Sequence, residues 1–544
     1  MPNPNGHSRR TVILAASFVA AVVAASAALA LRVSGNESVV LAPTSSYTEG
    51  VAGTWQRVNP LFVSSNEVDA DLSALVFSGL VRLAPDGRVI PDLAEMPTIS
   101  DDGRTYTFTI RENARWHDGE PVTAFDVEFT VDLIRDPDFR DPLIAEGWLG
   151  ADVQVNDERT VVITLRQASA PFLARSATVG LLPEHILRGT SAAQLTNSSF
   201  NANPIGAGPY RVDLLNSREA RLTAHDNYHL GRPNIERFNV RFYSDYATAV
   251  QALTQGEIEG LLVRDTLTAE QQAAIDDTSN LTSEQLLRSS QTLLYLNTSN
   301  VFFRDELVRR AISMALDRPT IVETAFGGEA RASSSPITPG TWAYVESADV
   351  VELNLSDARL LLEEAGWVAS PTSGILTRQG SEFRFTIRVD NDPVRVAVAE
   401  QVASQLEPLG IRASVVSTTF SVLRRDFLQE RTYEAAVAAW EQGPDPDLYF
   451  GWHSSQLGAA GLNLANFEDA VMDELISRGR VSNDENTRID SYNQVQEVWQ
   501  VLSPGVVVAY RTYRYVHTEA LQDVSSGVLF TASSRFVDVH KWRR

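Results

Sequence analysis

Three groups of residues in this chain have types and spacings that could do chemistry. His117-Asp118 sets an imidazole beside a carboxylate, the combination of a general base and the group that orients it. His225 and His229 stand four apart next to Asp226, which on a helix would put two metal ligands on one face. The surrounding HDNYHLG reads as loop, however, and a loop favours exposed side chains. Gly206-Ala207-Gly208 opens like a dinucleotide-binding turn. The third glycine is missing, Arg211 stands in its place, and Pro209-Tyr210 leads into a strand where a helix would be needed. No HExxH, GxSxG or GxxxxGK[ST] pattern occurs. Cysteine is absent, which excludes disulfides, thiolate zinc sites and thiol nucleophiles.

The elements that would position these groups are those of an α/β protein. From Thr105 to Ile110 apolar and threonine residues alternate, which predicts a half-buried strand, with Tyr106, Phe108 and Ile110 on one face. Asp101-Asp102-Gly103 and His117-Asp118-Gly119 are turns, and Thr123 with Asp126 forms a capping box for the following helix. On that reading His117 serves the turn, not catalysis. Residues 47–62, YTEGVAGTWQRVNPLF, read as loop because of Gly50, Gly53 and Asn59-Pro60. A first strand is expected at Val39–Ala42. Asp69–Leu80 is predicted as a helix with Leu72, Leu75, Val76 and Leu80 inward. Ser244 is the expected cap of a helix that Gly256 ends, followed by a strand at Ile258–Val263. A buried strand near Thr292, helices over Glu306–Leu316 and Asp392–Leu409, and a strand IRASVVS complete an alternation that predicts α/β lobes.

At 544 residues the chain exceeds one ordinary hydrophobic core, so two or three lobes are expected. Its net charge of −23 argues against nucleic acid as a partner. Arginine supplies nearly all the positive charge, Lys541 being the only lysine. The first thirty residues read as a targeting segment. Arg9-Arg10 precede Thr11–Leu31, an alanine-rich stretch without charge, and Ala28-Leu29-Ala30 fits a cleavage site. The stretch from Ser8 to Leu14 also resembles a twin-arginine signal. An uncleaved transmembrane anchor is the alternative, since Thr11–Leu31 is long enough to span a bilayer.

Residues 92–130, DLAEMPTISDDGRTYTFTIRENARWHDGEPVTAFDVEFT, closely resemble the signature of the family 5 extracellular solute-binding proteins, the oligopeptide and dipeptide receptors of ABC importers. The resemblance continues through NPIGAGPYRV at Asn203, HDNYHLGRPNIERF, LYLNTSNVFFRDELVRRAISMALDRPTIV and AAWEQGPDPDLYF at 438–450. It implies a three-lobed cluster-C periplasmic-binding-protein fold. Two α/β lobes would flank a cleft, joined by a two-segment hinge, with a third lobe inserted. The implied division is 1–31 signal or anchor, 39–80 and 205–291 lobe I, 81–204 inserted lobe II, 292–508 lobe III, and 509–544 returning to lobe I.

The resemblance also implies a function. The chain would be an exported, monomeric receptor that captures a peptide-like solute by hinge closure and delivers it to the transmembrane subunits of an ABC permease. It would use no cofactor. Lacking cysteine, it could not be anchored as a lipoprotein. Thr54 and Trp55, just ahead of Asn59-Pro60, would lie along the ligand, and Trp440, Glu441 and Gln442 would face it from the other lobe. In peptide-binding members an aspartate three residues past the tryptophan pairs with the ligand's amino group. Here that position is Gly443, and Glu441 is the nearest replacement. Asp445 and Asp447 fit turn and cap roles. A secreted hydrolase and a surface ligand-sensing protein without a transport role are the alternatives.

Overall fold

The computed structural model describes residues 45–544 apart from 351, 459 and 526. The expected targeting segment and the expected strand at Val39–Ala42 lie outside them. The architecture rests on one eleven-stranded sheet. Its strands are β1 (Ser46–Ala52), β2 (Tyr210–Leu215), β3 (Glu219–Ala224), β4 (Arg237–Tyr243), β5 (Gly260–Val263), β6 (Leu281–Leu296), β7 (Ala330–Ala332), β8 (Arg384–Asp390), β9 (Arg412–Thr418), β10 (Ala435–Glu441) and β11 (Val506–Thr518). The order is β9-β8-β10-β6-β11-β5-β1-β4-β3-β2, with β7 on β11.

Two long strands run through the middle. β6 has 16 residues and β11 has 13, and they pair antiparallel along most of their length. The register shifts between Leu287 and Gln291, so Arg288, Ser289 and Ser290 drop out of the pairing with β11, while Ser290 stays paired with Glu441 of β10. A bulge of this kind bends a strand pair and raises its local twist. On one side of it, residues 281–287 pair with 512–518, next to β5 and β1. On the other, residues 290–296 pair with β10. Separate apolar clusters fill the two halves. One holds Tyr47, Phe238, Tyr515 and Trp542, and others hold Ile312, Phe385 and Val437, or Tyr295, Trp452 and Trp499.

Two sequence expectations are corrected here. The strand placed near Thr292 begins at Leu281; its first half, LTSEQLL, is too polar to announce a strand and is set by its pairing with β11. Residues 46–52, read as the start of a loop, form β1, parallel to both β4 and β5. Gly50 leaves room in this strand for Ile258, whose Cδ1 would lie 2.2 Å from a Cβ there and would have to turn aside. The glycine marks close packing, not a turn.

The helices follow the apolar spacing, with shifted ends. α1 (Glu67–Val76) starts at Asn66, whose side chain accepts from the Val68 and Asp69 N–H groups, and it ends four residues before the expected Leu80. α2 (Ala124–Arg135) carries the expected Thr123–Asp126 capping box. It packs beside a separate four-stranded sheet in which Tyr106 and Phe108 are fully buried. α3 (Pro171–Arg175) is a short helix in the same region. α4 (Tyr246–Thr254) is capped by Asp245, not Ser244: its carboxylate accepts from Thr248 N–H at 2.8 Å. Gly256 then takes the left-handed conformation at φ 73°. No described helix is long and apolar enough to cross a membrane.

The NPIGAGPY glycines have a packing role. A Cβ on Gly206 would sit 1.9 Å from the Val76 carbonyl oxygen, and one on Gly208 2.5 Å from the Val76 carbonyl carbon. Gly208 N–H donates to that same carbonyl at 2.8 Å, closing the end of α1. Gly208→Ala is expected to lower stability by about 1–3 kcal/mol or more, because backbone must move to admit the methyl group. An unchanged thermal midpoint in scanning calorimetry would contradict this account of the glycine.

Candidate ligand site beside the hinge

β10 brings Trp440 and Glu441 to the edge of the bulge, because Trp440 is paired with Gln291 and Glu441 with Ser290. Trp440 is half-buried against the cluster of Tyr295 and Trp452. A Cβ on Gly451 would be 3.3 Å from its ring. Glu441 is exposed; it accepts from Ser290 Oγ at 2.6 Å and lies 3.5 Å from the Arg288 guanidinium. Gln442 is buried. Its N–H donates to Ser289 O, and Ser289 Oγ donates to Gln442 O, both at 2.7 Å. Its side-chain oxygen accepts from Thr338 N–H and Thr338 Oγ1. Glu441 and Gln442 are thus bonded directly to Arg288, Ser289 and Ser290, while Trp440 pairs with the next residue, Gln291. Any change of angle at the bulge must move this loop.

Thr54 and Trp55 lie elsewhere, after β1. Thr54 is exposed, and its carbonyl accepts from Asn66 Nδ2 at 2.9 Å. Trp55 is half-buried against the cluster of Tyr47 and Phe238, and its indole N–H donates to Asn216 O at 2.8 Å. The following Gln56 and Arg57 N–H groups donate to the Asp69 carboxylate. The structure therefore gathers Trp440, Glu441 and Gln442 at one place and sets Thr54 and Trp55 on the other half of the sheet.

The loop after β10 continues into ion pairs that link distant segments. Asp445 receives both contacts of Arg488 Nη2 at 2.7 Å. Asp447, whose side chain is fully buried, pairs with Arg480 and lies 3.8 Å from Arg175 Nη2. Burial pushes the Asp447 carboxyl up, against the pull of Arg175 and Arg480. Asp445 Oδ1 also accepts from Asp447 N–H, and Asp447 Oδ1 from Tyr449 N–H; both are turn contacts, and the short helix that begins at Tyr449 has Leu448, not Asp447, at its cap position. The 81–204 segment meets this region: Ala170 N–H donates to Arg480 O at 2.9 Å and Tyr106 OH to Asn483 Oδ1 at 3.2 Å. Sequence patterns gave no sign of Arg175, Arg288, Arg480 or Arg488, because their meaning comes from contacts between remote segments.

A cavity of about 190 Å³ lies nearby, lined by Phe77, Arg82, Pro85, Phe530 and Thr531 among others. A Cβ on Gly87 would touch both Phe530 and the Pro444 carbonyl, so the cavity wall adjoins the loop after β10. The expected site residues do not line it.

The histidines differ from expectation. His225 and His229 are buried, not exposed. His229 Nε2 meets Asp92 Oδ1 at 2.6 Å, and His225 Nδ1 meets Gly208 O at 3.2 Å. Their loop is held against residues 92 and 208, a long-range packing that the polar HDNYHLG does not announce. His117 is also buried, between Gly206 and Gly208. Among the described residues no group of three or more His, Cys, Asp or Glu side chains is arranged for a metal ion.

The sequence matches the family described as bacterial extracellular solute-binding proteins, family 5 Middle, over residues 88–461, more than half of the chain. The chain belongs to this family. It is 27% identical over 502 residues to the oligopeptide-binding protein AppA of Bacillus subtilis, covering 91% of this chain and 90% of that protein. The structure of the Bacillus subtilis AppA in complex with a nonapeptide matches with a TM-score of 0.64 at 26% identity, covering 92% of this chain and 98% of that one. NikZ from Campylobacter jejuni in complex with Ni(L-His) matches with a TM-score of 0.66 at 25% identity, covering 92% and 100%. The family 5 fold accounts for the mixed α/β architecture and its lobes, as the sequence led one to expect. It also makes this chain a solute-binding protein.

Proposed function

We propose that this chain is an exported receptor that closes on a peptide-like solute and delivers it to an ABC import permease. The observation that carries the reading is the bulge in β6, bonded through Ser289 and Ser290 to residues 441 and 442. Two strands that bend at one place let two rigid halves approach each other, and a ligand touching both stabilises the closed form. Trp440 supplies a broad surface with little loss of side-chain freedom. Glu441 is the exposed polar group beside it, and Gln442 braces the loop. Thr54 and Trp55 would meet the ligand from the opposite half. The peptide class is suggested by the similarity to AppA, an oligopeptide-binding protein. The division into lobes I, II and III at residues 80, 204, 291 and 508, the monomeric state, the cleaved leader and the absence of a lipid anchor all belong to this reading.

The test is a fluorescence titration of the purified protein with a mixed tripeptide library. Tryptophan emission is expected to change and saturate, and Trp440→Ala is expected to weaken binding by about ten- to thirty-fold. Unaltered affinity in that variant would remove Trp440 from the site. Peptides recovered cleaved after incubation would favour a hydrolase instead.

A further inference from the structure

We propose that the site holds a carboxylate of its ligand on Arg175, in the space beside Gly443. The inference rests on the receptor reading above and gives its ligand a charge. A Cβ on Gly443 would lie 3.5 Å from Arg175 Nε, 3.7 Å from Nη2 and 3.8 Å from Cζ. The side-chain-free residue therefore faces the edge of a guanidinium, and any larger residue would cover it.

Local charge leaves that guanidinium in surplus. Three arginines, Arg175, Arg480 and Arg488, share two carboxylates. Arg488 takes both oxygens of Asp445. Arg480 pairs closely with Asp447 and stacks over Tyr449 and Phe450. Among carboxylates Arg175 has the distant Asp447 Oδ2 at 3.8 Å, beyond hydrogen-bond length, and its Cζ lies 5.9 Å from the centre of the Phe450 ring. Its Nε is buried and has no partner among the described residues. The side chain as a whole is 30% exposed, so a ligand reaches the guanidinium at its Nη groups.

A cation short of carboxylate partners gains from an oxyanion that meets its accessible Nη groups. The free edge of a guanidinium matches the two oxygens of a carboxylate in one plane. An ammonium at the same place would be repelled. The overall charge of −23 makes such a spot more selective, since the rest of the molecule repels anions. Arg175 comes from α3 and Gly443 from the loop after β10, so the carboxylate would be gripped only when these two segments are together.

The experiment uses the full exported chain and two halves of one tripeptide library, one with free amino ends and one with the amino ends succinylated. Succinylation replaces an ammonium by a carboxylate. Fluorescence titration is expected to give at least about tenfold tighter binding of the succinylated pool. Arg175→Gln should abolish that preference while keeping the wild-type thermal midpoint within a few degrees. Gly443→Asp, which sets a carboxylate against Arg175, should shift preference toward the free-amine pool. Equal or tighter binding of the free-amine pool by the native protein, or a preference that survives Arg175→Gln, overturns this inference and leaves the receptor reading standing. Binding of neither pool by a folded protein overturns the peptide reading and this inference with it.

Discussion

Replacing Arg535 by alanine is expected to cost about 3–5 kcal/mol of stability, the largest loss of any single substitution considered for this chain. Arg535 has no exposed side-chain surface, and neither has Glu49, while Asp71 is nearly as deep. Its Nη1 and Nη2 donate to the two oxygens of Asp71 at 2.9 Å, and its Nε to Glu49 Oε1 at 3.1 Å. Tyr47 and Tyr515 hydroxyls donate to the other oxygen of Glu49 at 2.6 and 3.0 Å. Burial and the neighbouring Glu49 charge push both phenols well above their ordinary range, so both stay protonated and able to donate. Burial works against the charge of Asp71, but Arg264 and Arg535 together hold its carboxyl below the usual range. Removing the guanidinium leaves two carboxylates facing each other in an apolar interior, with Arg264 alone to compensate. The check is urea denaturation of the native and Arg535→Ala proteins side by side. Arg535→Lys should recover little, because a point charge cannot serve three donors' directions. A loss below about 1 kcal/mol would mean that water reaches the cluster.

The second large effect concerns acid. His117 sits between two backbone groups of opposite kind: its Nε2 donates to Gly208 O at 3.0 Å, and its Nδ1 accepts from Gly206 N–H at 3.2 Å. Only the neutral ring can do both. Burial is the main cause of the pKa falling to about 3, with the nearby His225 and Arg211 adding to it. The ring of His225 packs edge-on at 4.9 Å, and burial lowers its pKa as well. Unfolded, a histidine titrates near about 6.5. Between those two values the unfolded chain binds the extra proton. The contribution of His117 is therefore fully present above the unfolded value and is lost as pH falls towards the folded one. From pH 7.5 to 4.5 the loss is about 2–3 kcal/mol. His117→Gln, neutral throughout and able to donate and accept, should be less stable at pH 7.5 but lose correspondingly less on acidification. An identical fall in unfolding free energy for the two proteins would show that His117 does not carry this acid sensitivity.

Much of the local structure was legible because it depends on neighbours in sequence. The Thr123–Asp126 capping box, the inward Tyr106 and Phe108, and the left-handed Gly256 all follow from spacing that a strand or helix imposes. Trp440 and the loop after it were singled out because the residues around them resemble a known pattern. What escaped was set by partners far along the chain. β1 looked like loop because Gly50 usually breaks strands, yet here it admits Ile258. The first half of β6 is polar and became a strand through β11. His229 looked exposed until Asp92 was placed against it. Arg175 is one arginine among many in the sequence; only its juxtaposition with Gly443 gives it meaning.

The cluster around Arg535 has a consequence for biosynthesis. Trp542 packs against Tyr47 and Phe238 at 5.8 and 6.2 Å between ring centres, across nearly the whole described sequence. The core under β1 therefore closes only once residues about 490 positions further along the chain have arrived. This cluster cannot be completed in the order in which its residues are made, whereas those of Phe385 and of Trp452 need nothing from residues 532–544. Any break in the chain ahead of Phe536 and Trp542 would leave the aromatic rings of β1 and β4 uncovered.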